Sequence, residues 1–156
     1  PVEGFDLEWF EYRDEAGLTT QTARAITRCL QMGFEREQIV VLSMRGLKNS
    51  KVLHQDQLAT HTLRHFTGRY SDTGDQLFSD GSILTESVYR FKGQAADAVI
   101  LTELDFEQWD EKEYRKLFVG LTRAKLFSVL VGSPHTLTKL QNTLTEKVPS
   151  LQASLF

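Results

Sequence analysis

The sequence lacks several features that would place it in a familiar class of protein. It has a single cysteine, Cys29, so no internal disulfide can form and a reducing, cytoplasmic compartment is expected. It has no apolar run long enough to cross a bilayer and no signal-peptide pattern, so we expect no membrane association. The loop G-x-x-x-x-G-K-[ST], which binds nucleotide phosphates, is also missing. A nucleotide held by such a loop would therefore have to be bound by another domain.

The chain also has no excess of basic residues. Acidic residues number 21 against 18 basic ones, for a net charge of −3 and an isoelectric point near 5.8. Proteins that bind nucleic acid tightly on their own usually show a basic face, because affinity comes largely from neutralising phosphates. Any nucleic-acid contact is therefore expected to be local or shared. The length suits one domain over 1–156, and the start at Pro1 rather than Met predicts a fragment of a larger protein.

Apolar runs and turn signals predict strands that alternate with helices. Strands are predicted at 5–10, at an edge of the sheet, and at 39–42, 83–89, 98–101 and 127–131. Helices are predicted from Thr19 or Thr20 to Met32, with Gly33 just after the end, at 110–124, and from Pro134. Residues 46–80 give no clear pattern. This order predicts an α/β fold, an open and mainly parallel sheet with helices on both faces.

The segment Lys116-Leu-Phe-Val-Gly-Leu-Thr-Arg-Ala124 closes the helix predicted at 110–124. The residues predicted to face the sheet recur at helical spacing, and they are Tyr114, Leu117, Phe118 and Leu121. Arg123 is expected nearly opposite, with Lys116 and Gly120 along the same outer face. An outward guanidinium is a planar, permanently charged donor that suits phosphate oxygens. A solvated surface arginine is the alternative for any isolated helix.

Together with Ser87-Val-Tyr-Arg-Phe-Lys-Gly-Gln94, this segment resembles motifs V and VI of the UvrD/Rep-like group of superfamily 1 helicases. The resemblance implies the C-terminal, RecA-like motor domain of an ATP-dependent DNA helicase. ATP with Mg²⁺ would lie between this domain and an N-terminal RecA-like domain that supplies the metal ligands. No metal ligand is assigned in this chain. Single-stranded DNA is the implied partner, with RNA left open.

Two arginines carry the catalytic roles that the resemblance implies. Arg123 stands where the family places the arginine that reaches the γ-phosphate of ATP. The strand at 39–42 leads to Arg45 and resembles motif IV, which delivers a second arginine towards the phosphates. The alternative for Arg45 is an ion pair with a local carboxylate at the strand end.

The resemblance also assigns binding residues around the second segment. Those that would line the nucleotide cleft are Lys92, Gly93 and Gln94. Those that would contact the nucleic-acid strand are Ser87, Tyr89 and Arg90. Tyr89 replaces the usual histidine and could stack on a base.

Ala95 departs from the family, which usually has a ribose-binding glutamate at this position. This departure supports an alternative function, a helicase-derived module that binds nucleic acid or acts as a scaffold without hydrolysing ATP. The interval between Arg45 and Ser87 is also too short for the accessory subdomain that large helicases of this group insert there. A compact motor domain is therefore expected.

Overall fold

A computed structural model describes residues 6–108 and 110–147 of the chain. Its strands are β1 (Asp6–Glu11), β2 (Ile39–Ser43), β3 (Gln57–Leu58), β4 (His61–Arg64), β5 (Phe66–Tyr70), β6 (Gln76–Phe78), β7 (Ile83–Ser87), β8 (Ala96–Leu104) and β9 (Ala124–Gly132). Its helices are α1 (Glu15–Gln31), α2 (Gly46–Asn49), α3 (Glu111–Leu121) and α4 (Pro134–Lys147), with a 3₁₀ turn at Arg36–Gln38. Within the described ranges, no helix is both long and apolar enough to cross a membrane.

Seven strands form one sheet in the order β1-β9-β8-β2-β7-β4-β3, and β5 and β6 form a separate antiparallel hairpin. Neighbours in the large sheet run parallel, except that β3 is antiparallel to β4. The open, mainly parallel α/β sheet is therefore confirmed, as is the edge position of the first strand. Phe5, the first residue of that predicted strand, lies outside the described residues, as do 1–4 and 148–156 of the predicted domain.

Helices cover both faces of the sheet, as predicted. Strand β2 lies near the middle and is buried throughout, with Val41 in the apolar cluster of one face and Val40 and Leu42 in that of the other. Helix α1 packs on the first face, against β8 and β9. Helices α3 and α4 contribute apolar side chains to the second. Two buried faces explain why β2 is a continuous apolar run rather than an alternating one.

Local capping sets where the helices begin and end. Helix α1 begins earlier than predicted, because the Asp14 carboxylate accepts the Gly17 N–H at 2.7 Å and caps the first turn. Its end is as predicted, with Gly33 in the left-handed region at φ 101°. In α3, the Asp110 carboxylate accepts the Glu113 N–H at 2.9 Å.

The face that α3 presents to the sheet differs from the predicted one. Leu117 and Leu121 are buried as expected, but Phe118 is 38% exposed. Gly120 is buried as well, and a Cβ built on it would lie 2.6 Å from Leu101 Cδ2. The outward placement of Gly120 is therefore wrong, because the missing side chain lets α3 approach β8. The outer-face placement of Lys116 is also wrong, since its side chain is only 13% exposed.

Candidate functional site

The predicted site residues fall at two opposite edges of the sheet. Strands β7 and β8 are both parallel to β2, which lies between them. Residues 88–95 must therefore run from the carboxyl end of β7 to the amino end of β8. At one end of this crossover, the Val88 N–H donates to the Ser43 carbonyl at the carboxyl end of β2. At the other, the Ala96 N–H donates to the Arg123 carbonyl.

Arg123 lies at the amino edge, between the end of α3 and the start of β9. Its guanidinium donates to the Val119 carbonyl, the Gln94 carbonyl and the Thr122 hydroxyl, each at 3.2 Å. These distances exceed the roughly 2.7–2.9 Å usual for charge-assisted hydrogen bonds to anions. Among residues 6–108 and 110–143, no carboxylate lies within ion-pair distance of Arg123. Its positive charge is therefore uncompensated by the contacts it makes.

The predicted nucleotide-cleft residues lie in the turn that leads to Arg123. Gly93 has φ 82°, a left-handed conformation that favours glycine, and the following Gln94 N–H donates to the Phe91 carbonyl. Lys92, Gly93 and Gln94 are all exposed. The structure thus brings Gln94 and Arg123 into direct contact, with a glycine turn beside them.

A cavity of about 560 Å³ adjoins Gln94 at this edge. Arg36, Arg64 and Phe78 also line it, with the Arg64 guanidinium 5.0 Å from the centre of the Phe78 ring. Sequence reasoning missed all three residues. They come from the 3₁₀ turn, β4 and β6, and the segment that contains β4 and β6 has no clear pattern in the sequence. The cavity thus has two arginines and an aromatic residue next to Gln94, and the acidic Glu37 also lines it.

The carboxyl edge is organised around Glu103. Strand β8 holds one more residue than β9 between the Leu101 and Leu104 pairings, which is a β-bulge. In this bulge Glu103 has φ 62° and is fully buried. Four donors reach its carboxylate: the hydroxyls of Ser43 and Ser50 at 2.5 Å, the Lys51 N–H at 2.8 Å and Arg45 Nη1 at 3.0 Å. A buried anion is thereby satisfied by hydrogen bonds.

Arg45 is neutralised at this edge by two carboxylates. Besides Glu103, it forms an ion pair with Asp105, which also accepts the Tyr12 hydroxyl at 2.7 Å. Burial, reinforced by the hydrogen bond to Asp105, raises the pKa of Tyr12 well above its ordinary value and keeps it a donor. Arg45 therefore makes the local ion pair that was its alternative role. The length of β8 separates this edge from Arg123 by roughly 25 Å, so the two arginines are not brought together.

Of the three residues predicted to contact nucleic acid, only Tyr89 is prominent at the surface, with 52% exposure. Ser87 is 5% exposed, and its hydroxyl accepts the Arg90 N–H at 3.2 Å. Arg90 donates to Glu86 and Gln76, both at 2.7 Å, and lies 4.5 Å from the centre of the Phe66 ring. Ser87 and Arg90 thus hold the turn after β7.

Part of the chain is similar to a known protein family. The model of the UvrD-like helicase C-terminal domain matches residues 83–131, from β7 to β9. The match confirms the resemblance to the C-terminal domain of UvrD/Rep-like helicases, and it supports a helicase motor domain that pairs with an N-terminal motor domain and nucleic acid. The seven-stranded sheet is consistent with the RecA-like fold. No curated protein matches the chain.

Proposed function

We propose that this chain, whose residues 83–131 match the C-terminal domain of UvrD-like helicases, is the second motor domain of an ATP-dependent DNA helicase. In this proposal ATP lies in a cleft between the amino edge of this sheet and an N-terminal motor domain. The other domain supplies the phosphate-binding loop and the ligands of Mg²⁺. This chain supplies the arginine that faces the γ-phosphate and a surface for single-stranded DNA.

The environment of Arg123 carries the proposal. Three neutral oxygens hold its guanidinium at 3.2 Å, so exchanging them for phosphate oxygens would replace long hydrogen bonds by charge-assisted ones. The cavity beside Gln94 gives room for part of a nucleotide. Arg123 would donate to the oxygens on which charge increases during phosphoryl transfer, a role for arginine that is worth roughly 10³ to 10⁵ in rate.

The strand-binding role is proposed for the other end of the crossover. Tyr89 offers an exposed ring, and stacking of a base on an aromatic side chain is worth about 1–3 kcal/mol. Contacts of Ser87 and Arg90 with nucleic acid, and of Arg45 with phosphate, stay predictions. For Arg45 such a contact would require its release from Glu103 and Asp105.

Substitution of Arg123 tests the proposal in the protein that joins both motor domains. Arg123→Ala should lower kcat of DNA-stimulated ATP hydrolysis by about 10³ or more while changing KM little, because the group acts where charge develops. Lys should rescue poorly, since an ammonium does not reproduce the planar donor fork. Arg115→Ala is the matched control, because Arg115 is exposed on the same helix and forms an exposed ion pair with Glu111 at 3.4 Å. Near-normal turnover of folded Arg123→Ala would refute the catalytic role.

Ala95 favours the second candidate, a module that binds nucleic acid or acts as a scaffold without hydrolysing ATP. It is exposed next to Gln94 and brings no carboxylate to the cleft. On the main proposal, the isolated chain should hydrolyse no ATP even with single-stranded DNA, because the phosphate-binding loop is elsewhere. Turnover above roughly 1 s⁻¹ would contradict the shared cleft. Nanomolar DNA binding by the isolated chain at physiological salt would favour the module.

A further inference from the structure

Lys116 lies in the middle of α3, and its amine points towards the protein rather than towards solvent. The side chain is only 13% exposed, which is unusual for lysine unless the amine is paired. Lys116 Nζ donates to the Met44 carbonyl at 3.0 Å and lies 3.8 Å from Glu113 Oε1. It also lies 5.5 Å from the centre of the Tyr89 ring, within the range of a cation–π contact.

These contacts bring three separate segments together at one point. Met44 follows β2, Tyr89 lies in the crossover after β7, and Lys116 belongs to the helix that ends just before Arg123. The amine is anchored by a backbone carbonyl, so it has a defined position from which to act on the ring. The rest of the Tyr89 ring remains open to solvent, as its 52% exposure indicates.

We infer that Lys116 is a positioning residue for nucleic acid, which holds the Tyr89 ring in place so that its open face can take an unpaired base. The inference rests on the proposed function and assigns to it a residue outside the predicted strand-binding set. An aromatic ring that is already held loses less conformational freedom when a base stacks on it, so binding is tighter. The cation acts through the ring rather than by touching the strand.

Fluorescence anisotropy of a labelled oligothymidine with the chain itself, at low salt, tests this role. Lys116→Met should weaken binding about fivefold, which corresponds to about 1 kcal/mol. Lys116→Arg should restore most of the affinity, because a guanidinium also stacks on an aromatic face. Lys112→Met is the matched control, since Lys112 is an exposed lysine of the same helix, and it should bind like the unmodified chain. Lys116→Gln, which keeps a donor for Met44 without a charge, should be as weak as Lys116→Met and serves if the latter fails to fold.

A double-mutant cycle with Tyr89→Leu separates positioning from direct phosphate contact. If Lys116 acts through the ring, the double variant should bind no more weakly than Tyr89→Leu alone, and the salt dependence should be unchanged. Additive losses, with a salt slope reduced by about one, would overturn the inference in favour of a phosphate contact. Equal binding by Lys116→Met and Lys112→Met would overturn it too, while the proposed function would stand. If the unmodified chain binds no oligonucleotide at low salt, the proposed strand-binding surface fails with it.

Discussion

Removal of the Glu103 carboxylate should destabilise the chain strongly. In Glu103→Ala, three donors at the carboxyl edge lose their acceptor in the interior: the Ser43 and Ser50 hydroxyls and the Lys51 N–H. Arg45 loses one of its two carboxylates. Arg45 keeps its pair with Asp105, but each buried donor left without an acceptor costs about 1–3 kcal/mol, so a total loss of about 3–5 kcal/mol is expected. For a domain of this size, that loss corresponds to a fall in Tm of roughly 6–20 °C.

Two further variants separate the carboxylate from the backbone strain. Glu103 has φ 62°, so Glu103→Gly loses the same contacts but relieves about 1 kcal/mol of left-handed strain relative to Glu103→Ala. Glu103→Gln should cost less, about 2 kcal/mol, because its amide oxygen can still accept from Arg45 and Lys51 and its NH₂ can donate to the Ser43 hydroxyl. The Ser50 hydroxyl already accepts the Val52 and Leu53 N–H groups, so it cannot take up the second N–H of the amide. The free energy of unfolding is therefore expected to be highest for the Gln variant, lower for the Gly variant and lowest for the Ala variant.

Urea unfolding followed by circular dichroism measures this series. Glu107→Ala is the matched control, because Glu107 is an exposed carboxylate just beyond the same strand, and its effect should stay within about 0.5 kcal/mol. A loss below about 1 kcal/mol for Glu103→Ala would refute the reasoning, since the four donors would then be satisfied without the carboxylate. A Gly variant less stable than Ala would refute the strain argument alone.

Other predictions concern titration, reactivity and packing. Burial, and next the charge of Arg36, lower the pKa of His61. The folded chain therefore disfavours its protonation, and the free energy of unfolding should fall as pH drops below the ordinary value of 6.5. In urea titrations from pH 5 to 8, His61→Gln should flatten this dependence, and identical slopes would contradict it. Burial raises the pKa of Cys29 to about 12, so iodoacetamide at pH 8 should alkylate it in urea but not in the native chain, as mass spectrometry would show. Rapid native alkylation would mean that the thiol is accessible. A Cβ on Gly81 would lie 2.0 Å from the Leu63 carbonyl carbon, so Gly81→Ala should cost about 1–3 kcal/mol or more; an unchanged Tm would contradict this close approach.

The parts of the fold that the sequence predicts are those with a strong local signal. Strand β2 is a run of apolar residues because both of its faces are buried, and Gly33 follows α1 because it takes a left-handed conformation. The orientation of Gly120 could not be predicted in this way. A glycine adds nothing to a hydrophobic pattern, so its contact with Leu101 appears only when α3 lies on the sheet.

The candidate site was predictable to a similar degree. The segment that contains Arg123 is recognisable from its own residues. The partners of Arg45, however, lie far along the chain, with Glu103 near the end of β8 and Asp105 just after that strand. Glu103 is buried in a β-bulge of that strand. The hydropathy pattern of β8 does not show such an extra residue. Lys116 was placed on the wrong face of α3 for a related reason, since its inward position depends on the Met44 carbonyl of another segment.

The pairing of β1 with β9 has a consequence for how the chain acquires its structure. Asp6 is paired with Phe127, so the first described strand joins the sheet through the last one. During synthesis, β1 cannot pair until β9 has been made, which is near the end of the domain. The apolar side of α1 stays incompletely covered until then. Contacts between such distant segments slow folding, and the incomplete chain exposes apolar strands in the meantime. We therefore expect truncations that remove β9 to aggregate rather than yield a smaller folded core.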